Sequence, residues 1–326
     1  MNLPYTLRLL CLCGASFFMV HMVLAMATRL GAGTAMRVAE HMKPRSAARL
    51  LFALRISPLV LSLFAVLAFC VPSYLWLEPE ATGERVGLVC MLIALMGVAV
   101  WIPALVRVIG AVRGTTRYLH RCERHGRKIT MPGEASPALL LADKAPVLAV
   151  AGVFRPQLLI SRRVMRGLSA EQREAALRHE RAHCAAGDNF KRFMILLAPD
   201  VLPFVRTFRS MEQAWSKFTE WAADDQATEG DPQRALSLAA ALVRVAKMGS
   251  KPQLGYLSCS LVGGDKQLSE RVERLLRPQP KPGKPVRELV PLLSSAGALA
   301  ALAIAVMTLW PGSLSVVHQA LEQLVH

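Results

Sequence analysis

Four uncharged apolar runs constrain this 326-residue chain more than anything else in it: Leu9–Thr28, Ile56–Leu77, Val86–Val106 and Leu289–Trp310. Each is long enough to cross a bilayer as a helix, which takes about 20 residues. Charge brackets them, as Arg85 and Arg107 do for the third. A helix buried in a soluble core rarely runs so far without a polar face, so the runs predict membrane spans. The chain is 53% hydrophobic and only 19% charged, which excludes a disordered polymer. Its seven cysteines are scattered without a spacing pattern, which excludes a small disulfide scaffold.

The distribution of charge predicts how the spans face. Residues 29–55 hold six Lys or Arg against Glu40 alone, a net of +5. The short loop after the second run carries Glu78, Glu80, Glu84 and Arg85, a net of −2. Residues 113–287 hold 30 basic and 17 acidic residues. The positive-inside tendency then places 29–55 and 113–287 in the cytoplasm, with the acidic loop and both termini outside an inner cell membrane. A cleaved leader ending near Ala25-Met26-Ala27 is the competing reading. Its apolar stretch exceeds the usual 7–15 or so residues, and only Arg8 precedes it. The overall net charge of +16 is spread along the chain without a DNA- or RNA-binding motif, so no direct nucleic-acid partner is expected.

Three regions follow: 1–112 with three spans and a basic cytoplasmic loop, 113–288 as a polar domain ending in a proline-rich linker, and 289–326 with the fourth span and a short external tail. Within the polar domain, Arg113–Lys128 reads as a basic helical connector. Val147–Ala151 and Gln157–Ser161 read as a β-hairpin or neighbouring strands around Gly152 and Pro156. Ser169-Ala170-Glu171-Gln172 fits a capping box opening a helix that runs to Gly187. Phe193–Phe208 is apolar but broken by Pro199, Asp200 and Pro203; a dip into the membrane surface and a buried kinked helix both stay open. Further helices are expected over Met211–Thr228, from an Asp231-Pro232 N-cap to about Met248, and over Ser269–Leu276.

The chemistry lies in His179-Glu180-Arg181-Ala182-His183, an H-E-x-x-H on the helix 170–187. Histidines four apart stand one turn above each other, so both imidazoles reach one metal, and neutral imidazole suits Zn2+. Glu180, close to the same face, is the candidate general base for the attacking water. A catalytic zinc needs a third protein ligand, for which Glu220 is the candidate, and an open fourth position; an exposed acidic face is the other reading of Glu220 and Asp224. Asp224, one turn after Glu220, is placed to orient a zinc histidine through its free ring N–H. Asp188 could orient the metal helix similarly or cap its end. Arg178 and Arg181 read as solvated, His120, Cys122 and His125 as part of a hydrated helix, His21 as a satisfied interhelical histidine, and Cys184 as a small buried thiol.

With four spans, an H-E-x-x-H followed by Asp188, and E-x-x-x-D 37 residues after the second histidine, the chain resembles the antirepressor-type membrane zinc peptidases, relatives of the BlaR/MecR sensor–transducers. Gly152–Ile160 is similar to the hairpin segment before the zinc helix in that family, and Arg271–Leu276 to its closing helix. The resemblance implies a gluzincin-like α+β peptidase domain in a mainly α membrane protein, with His179, His183 and Glu220 on one catalytic zinc and Glu180 as general base. It further implies protein substrates, among them transcriptional repressors or the protease itself. Only 16 residues follow Trp310 and no Ser-x-x-Lys occurs, so no penicillin-binding sensor is expected.

The expected activity is a multi-pass membrane zinc endopeptidase working at the cytoplasmic face in regulatory signalling. An extended substrate is expected to add to an edge strand near 147–161. The bilayer is the other partner, and a homo-oligomer stays open. The alternatives are a quality-control protease of the Ste24/heat-shock type and a non-catalytic transducer with structural zinc.

Overall fold

The computed structural model describes residues 4–77, 86–130, 137–142, 146–200, 206–249, 257–261, 265–277 and 319. The fourth apolar run, Leu289–Trp310, and the proline-rich linker therefore lie outside the described residues. Helices make up most of what is described. Three helical bodies are long and apolar enough to cross a membrane: α1 (Tyr5–Glu40), the segment Pro44–Leu77, and the segment Leu88–His125. The second comprises α2 (Pro44–Ala65), one π turn (Val66–Cys70) and α3 (Val71–Leu77). The third comprises α4 (Leu88–Ala99) and α5 (Trp101–His125), joined at Val100.

The stretches next to the spans depart from the sequence reading in two ways. α1 continues to Glu40 and α2 starts at Pro44, so residues 29–55 form a helical hairpin with a turn of three residues. Pro44 opens α2 because a first-turn proline gives up no helical hydrogen bond. Likewise the connector at 113 is no separate helix: α5 carries the third span straight on to His125, and Lys128 belongs to a strand. Small residues bring α1 and α4 together. A Cβ on Gly97 would stand 2.4 Å from the carbonyl oxygen of Gly14.

The polar region folds around a five-stranded sheet, order β1-β2-β4-β3-β5. Its strands are β1 (Arg127–Ile129), β2 (Ala138–Leu141), β3 (Leu148–Ala151), β4 (Gln157–Ser161) and β5 (Ser258–Ser260). β3 and β4 pair antiparallel, as do β1 with β2 and β3 with β5, whereas β2 and β4 run parallel. The expectation of an edge strand near 147–161 is corrected here. β3 is flanked by β4 and β5, and β4 by β2 and β3, so neither has a free edge; the edges are β1 and β5.

Alternation along the strands sends side chains to two layers. Leu148, Val150, Leu158 and Ile160 pack on α7 (Ala170–Ala186), α10 (Pro232–Lys247) and α11 (Asp265–Leu276) through Ala175, Ala176, Leu238, Leu242 and Leu275. Ala149, Ala151 and Leu159 face the other way, onto Tyr118, Leu119 and Cys122 of α5. The extension of the third span thus forms one layer of the sandwich around this sheet. α8 (Asp188–Leu197) and α9 (Arg206–Thr228) complete the region, after a short α6 (Arg162–Gly167). Ile195, Phe208, Met211, Trp215 and Phe218 join Ala39, Ala47 and Leu51 of α1 and α2 in one further core.

Between α8 and α9 the chain enters the bundle of spans. Ala198 is fully buried among Leu12, Ala15 and Leu59. Arg55 of α2, only 3% exposed, binds Asp200 at 2.7 Å and Glu212 of α9 at 2.8 Å. Arg107 of α5 binds the other oxygen of Asp200 at 2.8 Å. His21 of α1 lies 3.3 Å from the Ser62 hydroxyl and 3.2 Å from the Pro199 carbonyl, a satisfied interhelical histidine. The described part of the 193–208 segment is therefore a helix to Leu197 followed by a wedge held by all three spans.

Candidate metal centre

The helix carrying the H-E-x-x-H is bounded by local chemistry. At its start the Ser169 hydroxyl accepts from the Gln172 N–H at 3.3 Å and the Gln172 side chain accepts from the Ser169 N–H at 3.1 Å, both halves of a capping box. At its end Gly187 adopts φ +66°, the left-handed conformation that glycine takes at least cost. That turn leads into α8 without a loop and sets Asp188 beneath His183. Asn189 follows, and its side-chain amide donates to the carbonyls of Val150 at 3.1 Å and Gly152 at 2.9 Å, tying the helix junction to β3.

α9 runs beside α7 and presents Glu220 and Asp224. The Nε2 atoms of His179 and His183 lie 3.1 Å apart, and the Glu220 oxygens lie 3.5 and 3.7 Å from them. Ligands bonded at about 2.0–2.1 Å in a tetrahedron stand roughly 3.3–3.4 Å from one another, close to this triangle. These three side chains form a group able to hold a metal ion. The far side of each ring faces a carboxylate. His183 Nδ1 lies 2.8 Å from Asp188 Oδ2, and His179 Nδ1 lies 2.9 Å from Asp224 Oδ1, though off the line of a straight hydrogen bond. A proton on each Nδ1, facing its carboxylate, would leave both Nε2 atoms as inward acceptors, and the Arg271 guanidinium already approaches that of His179 at 3.3 Å. Two inward lone pairs at this distance repel unless a cation lies between them, so the residues fit a bound metal.

All six side chains are buried, which decides their electrostatics. Burial pushes the Glu180 carboxyl up to about 7, against the opposing pull of His179 and His183. Neither of its oxygens has a hydrogen-bond partner among the described residues. Burial also acts upward on Glu220 and Asp224. There it is outweighed by Arg271 and the neighbouring histidines together, which hold Glu220 well below the ordinary carboxylate range and lower Asp224.

Arg271 has no role in the sequence-based site, yet it is built into this one. It is 2% exposed, pairs with Glu220 at 2.9 Å and Asp224 at 2.7 Å, and donates to the Leu261 carbonyl at 2.8 Å. Burial works against its charge, but the two carboxylates more than compensate and raise its pKa. Its signal in the sequence was faint, one of two arginines in a helix that also holds Arg274 and is followed directly by Arg277. Asn189 was missed too, because nothing local reports a side chain that caps a distant strand.

The remaining candidates lie elsewhere. Arg178 and Arg181 pair with Glu174 at 3.0 and 3.5 Å on the outer face of α7. His120 pairs with Glu123, whereas Cys122 is buried under the sheet, so those residues do not converge. Cys184 is exposed, which corrects the expectation of a small buried thiol.

A family model described as BlaR1 peptidase M56 matches residues 81–275, more than half of the chain, from the third span to the closing helix. Among curated proteins none matches.

Proposed function

This chain belongs to the BlaR1 peptidase M56 family, and from that premise we propose that it is a multi-pass zinc endopeptidase cutting protein substrates at the cytoplasmic face in regulatory signalling. Membership makes it a membrane metallopeptidase; the metal, the face and the substrate are our reading. The observation that carries it is the convergence of the two Nε2 atoms, 3.1 Å apart, with the Glu220 carboxylate beside them. Zinc would be held by His179, His183 and Glu220, and when bound supplies a Lewis acid that polarises the scissile carbonyl and acidifies water. A group of three ligands, with no fourth among the described residues, favours a catalytic over a structural ion.

The chain's own residues have separable tasks. Glu180, with a pKa near neutrality in the metal-free protein, takes the proton of the attacking water and returns it to the leaving amine. Asp188 and Asp224 hold the two imidazoles in one tautomer and orientation. β5, the sheet edge in contact with α7, is the strand to which an extended substrate would add. Repressor cleavage and self-cleavage are the proposed substrate classes, with the peptidase region cytoplasmic and the termini outside. The decisive experiment is Glu180→Gln in native membranes. Loss of all cleavage with zinc content retained is expected, and proteolysis undiminished in that variant would overturn the assignment.

A further inference from the structure

A cavity of about 250 Å3 lies between α2, the α7–α8 junction and α9. It is smaller than the roughly 300–1,000 Å3 that holds drug-sized ligands, a size suited to one compact ionic group. Its lining is unusually cationic, with Arg45 and Arg49 of α2, Lys191 of α8 and one acid, Asp188, over a floor of alanines. Asp188 is already engaged on both oxygens, with His183 at 2.8 Å and Lys191 at 3.1 Å. It therefore offers an incoming anion no free charge to repel it. Arg45 and Arg49 have no acidic partner among the described residues. Thr219 of α9 also lines the cavity. It is 4% exposed, and its hydroxyl has no hydrogen-bond partner among the described residues. A buried hydroxyl left unpaired in a cavity ringed by guanidinium groups marks a place for an acceptor.

The position names the acceptor. Arg49 stands seven residues before the apolar run that starts at Ile56, about 10 Å of helix rise, which brings a long side chain to headgroup depth. We infer that this cavity binds a phosphate group, gripped by Arg45 and Arg49 and accepting a hydrogen bond from Thr219. Guanidinium forks match phosphate oxygens in geometry as well as charge. Its source is either the headgroup of an anionic phospholipid or free inorganic phosphate. The inference does not depend on the peptidase reading; only its lipid arm depends on α1, α2 and α4–α5 spanning a bilayer.

Native mass spectrometry of the full chain in detergent tests it, titrating phosphatidylglycerol, phosphatidylcholine and inorganic phosphate separately. Wild type should retain phosphatidylglycerol and not phosphatidylcholine. The double variant Arg45→Gln/Arg49→Gln should weaken that binding about 30-fold, the worth of two basic side chains at a membrane surface. Thr219→Val, nearly isosteric, should weaken it severalfold with zinc content unchanged. Binding of inorganic phosphate alone, lost in the same variants, would assign the free ion as the source and still support the site. No binding of either anion, or binding that depends on the arginines but is untouched by Thr219→Val, would overturn it, the latter exposing diffuse surface attraction.

Discussion

Arg271 reaches the candidate metal centre from α11 and lies against both carboxylates of α9. Removing one side of a buried ion pair costs about 3–5 kcal/mol, because the partner charge is left in a medium that solvates it poorly. Arg271→Met therefore destabilises the metal-free protein by that order. Zinc should recover more of the loss in the variant than it adds to wild type, since the ion supplies the missing positive charge. Thermal unfolding in detergent, with a chelator and then with zinc, measures both; equal zinc-induced shifts would count against the argument. The histidine pair and Glu180 were legible in the sequence because an i, i+4 spacing is a fact of one helix. Glu220 and Asp224 were legible only as a guess conditioned on that pair. Arg271, 47 residues from Asp224, was not, because its meaning lies wholly in the packing of α11 on α9.

Helix boundaries were read well where the chain marks them with local chemistry. The capping box at Ser169, the glycine at 187 and the Asp231-Pro232 cap all fall where the structure places them; Asp231 accepts from the Gln233 N–H at 2.9 Å. Strands β1, β2 and β5 went unseen. They are three or four residues long and exist through pairing with distant segments, which no short-range pattern reports. The crossing of α1 and α4 is equally invisible to hydropathy but yields a sharp test. Gly97→Ala forces a methyl group into the Gly14 carbonyl and should cost about 1–3 kcal/mol. Gly31→Ala meets nothing within 4 Å and should stabilise α1 by up to about 1 kcal/mol. Opposite shifts of the unfolding midpoint are expected, and a neutral Gly97→Ala would refute the close approach.

At the scale of the molecule, spans and peptidase region share cores and charges. Apolar runs identified the spans and the count of charge proposed their orientation, and in that count Arg55 was one of six basic residues in a loop. The structure gives it a different task, since it is buried and joins α2 to the 198–200 wedge and to α9. Arg107 is 40% exposed and meets the same aspartate. Arg55→Met should consequently lower the unfolding midpoint far more than Arg107→Met, whose partly solvated pair is worth about 1 kcal/mol or less. Comparable effects of the two variants, read in the same detergent, would show that burial is not what matters at this junction.

The wedge also sets a schedule for making the protein. Arg55 precedes Asp200 by 145 residues, so at synthesis rates of roughly 5–20 residues per second about 7–30 s separate the arginine from its acid. Arg107 precedes the same acid by only 93 residues, about 5–19 s, so the two cations wait for Asp200 over different intervals. The ribosome must deliver Ala198–Asp200 to helices made well before it, and α9, which follows, completes the joint by bringing Glu212 to Arg55.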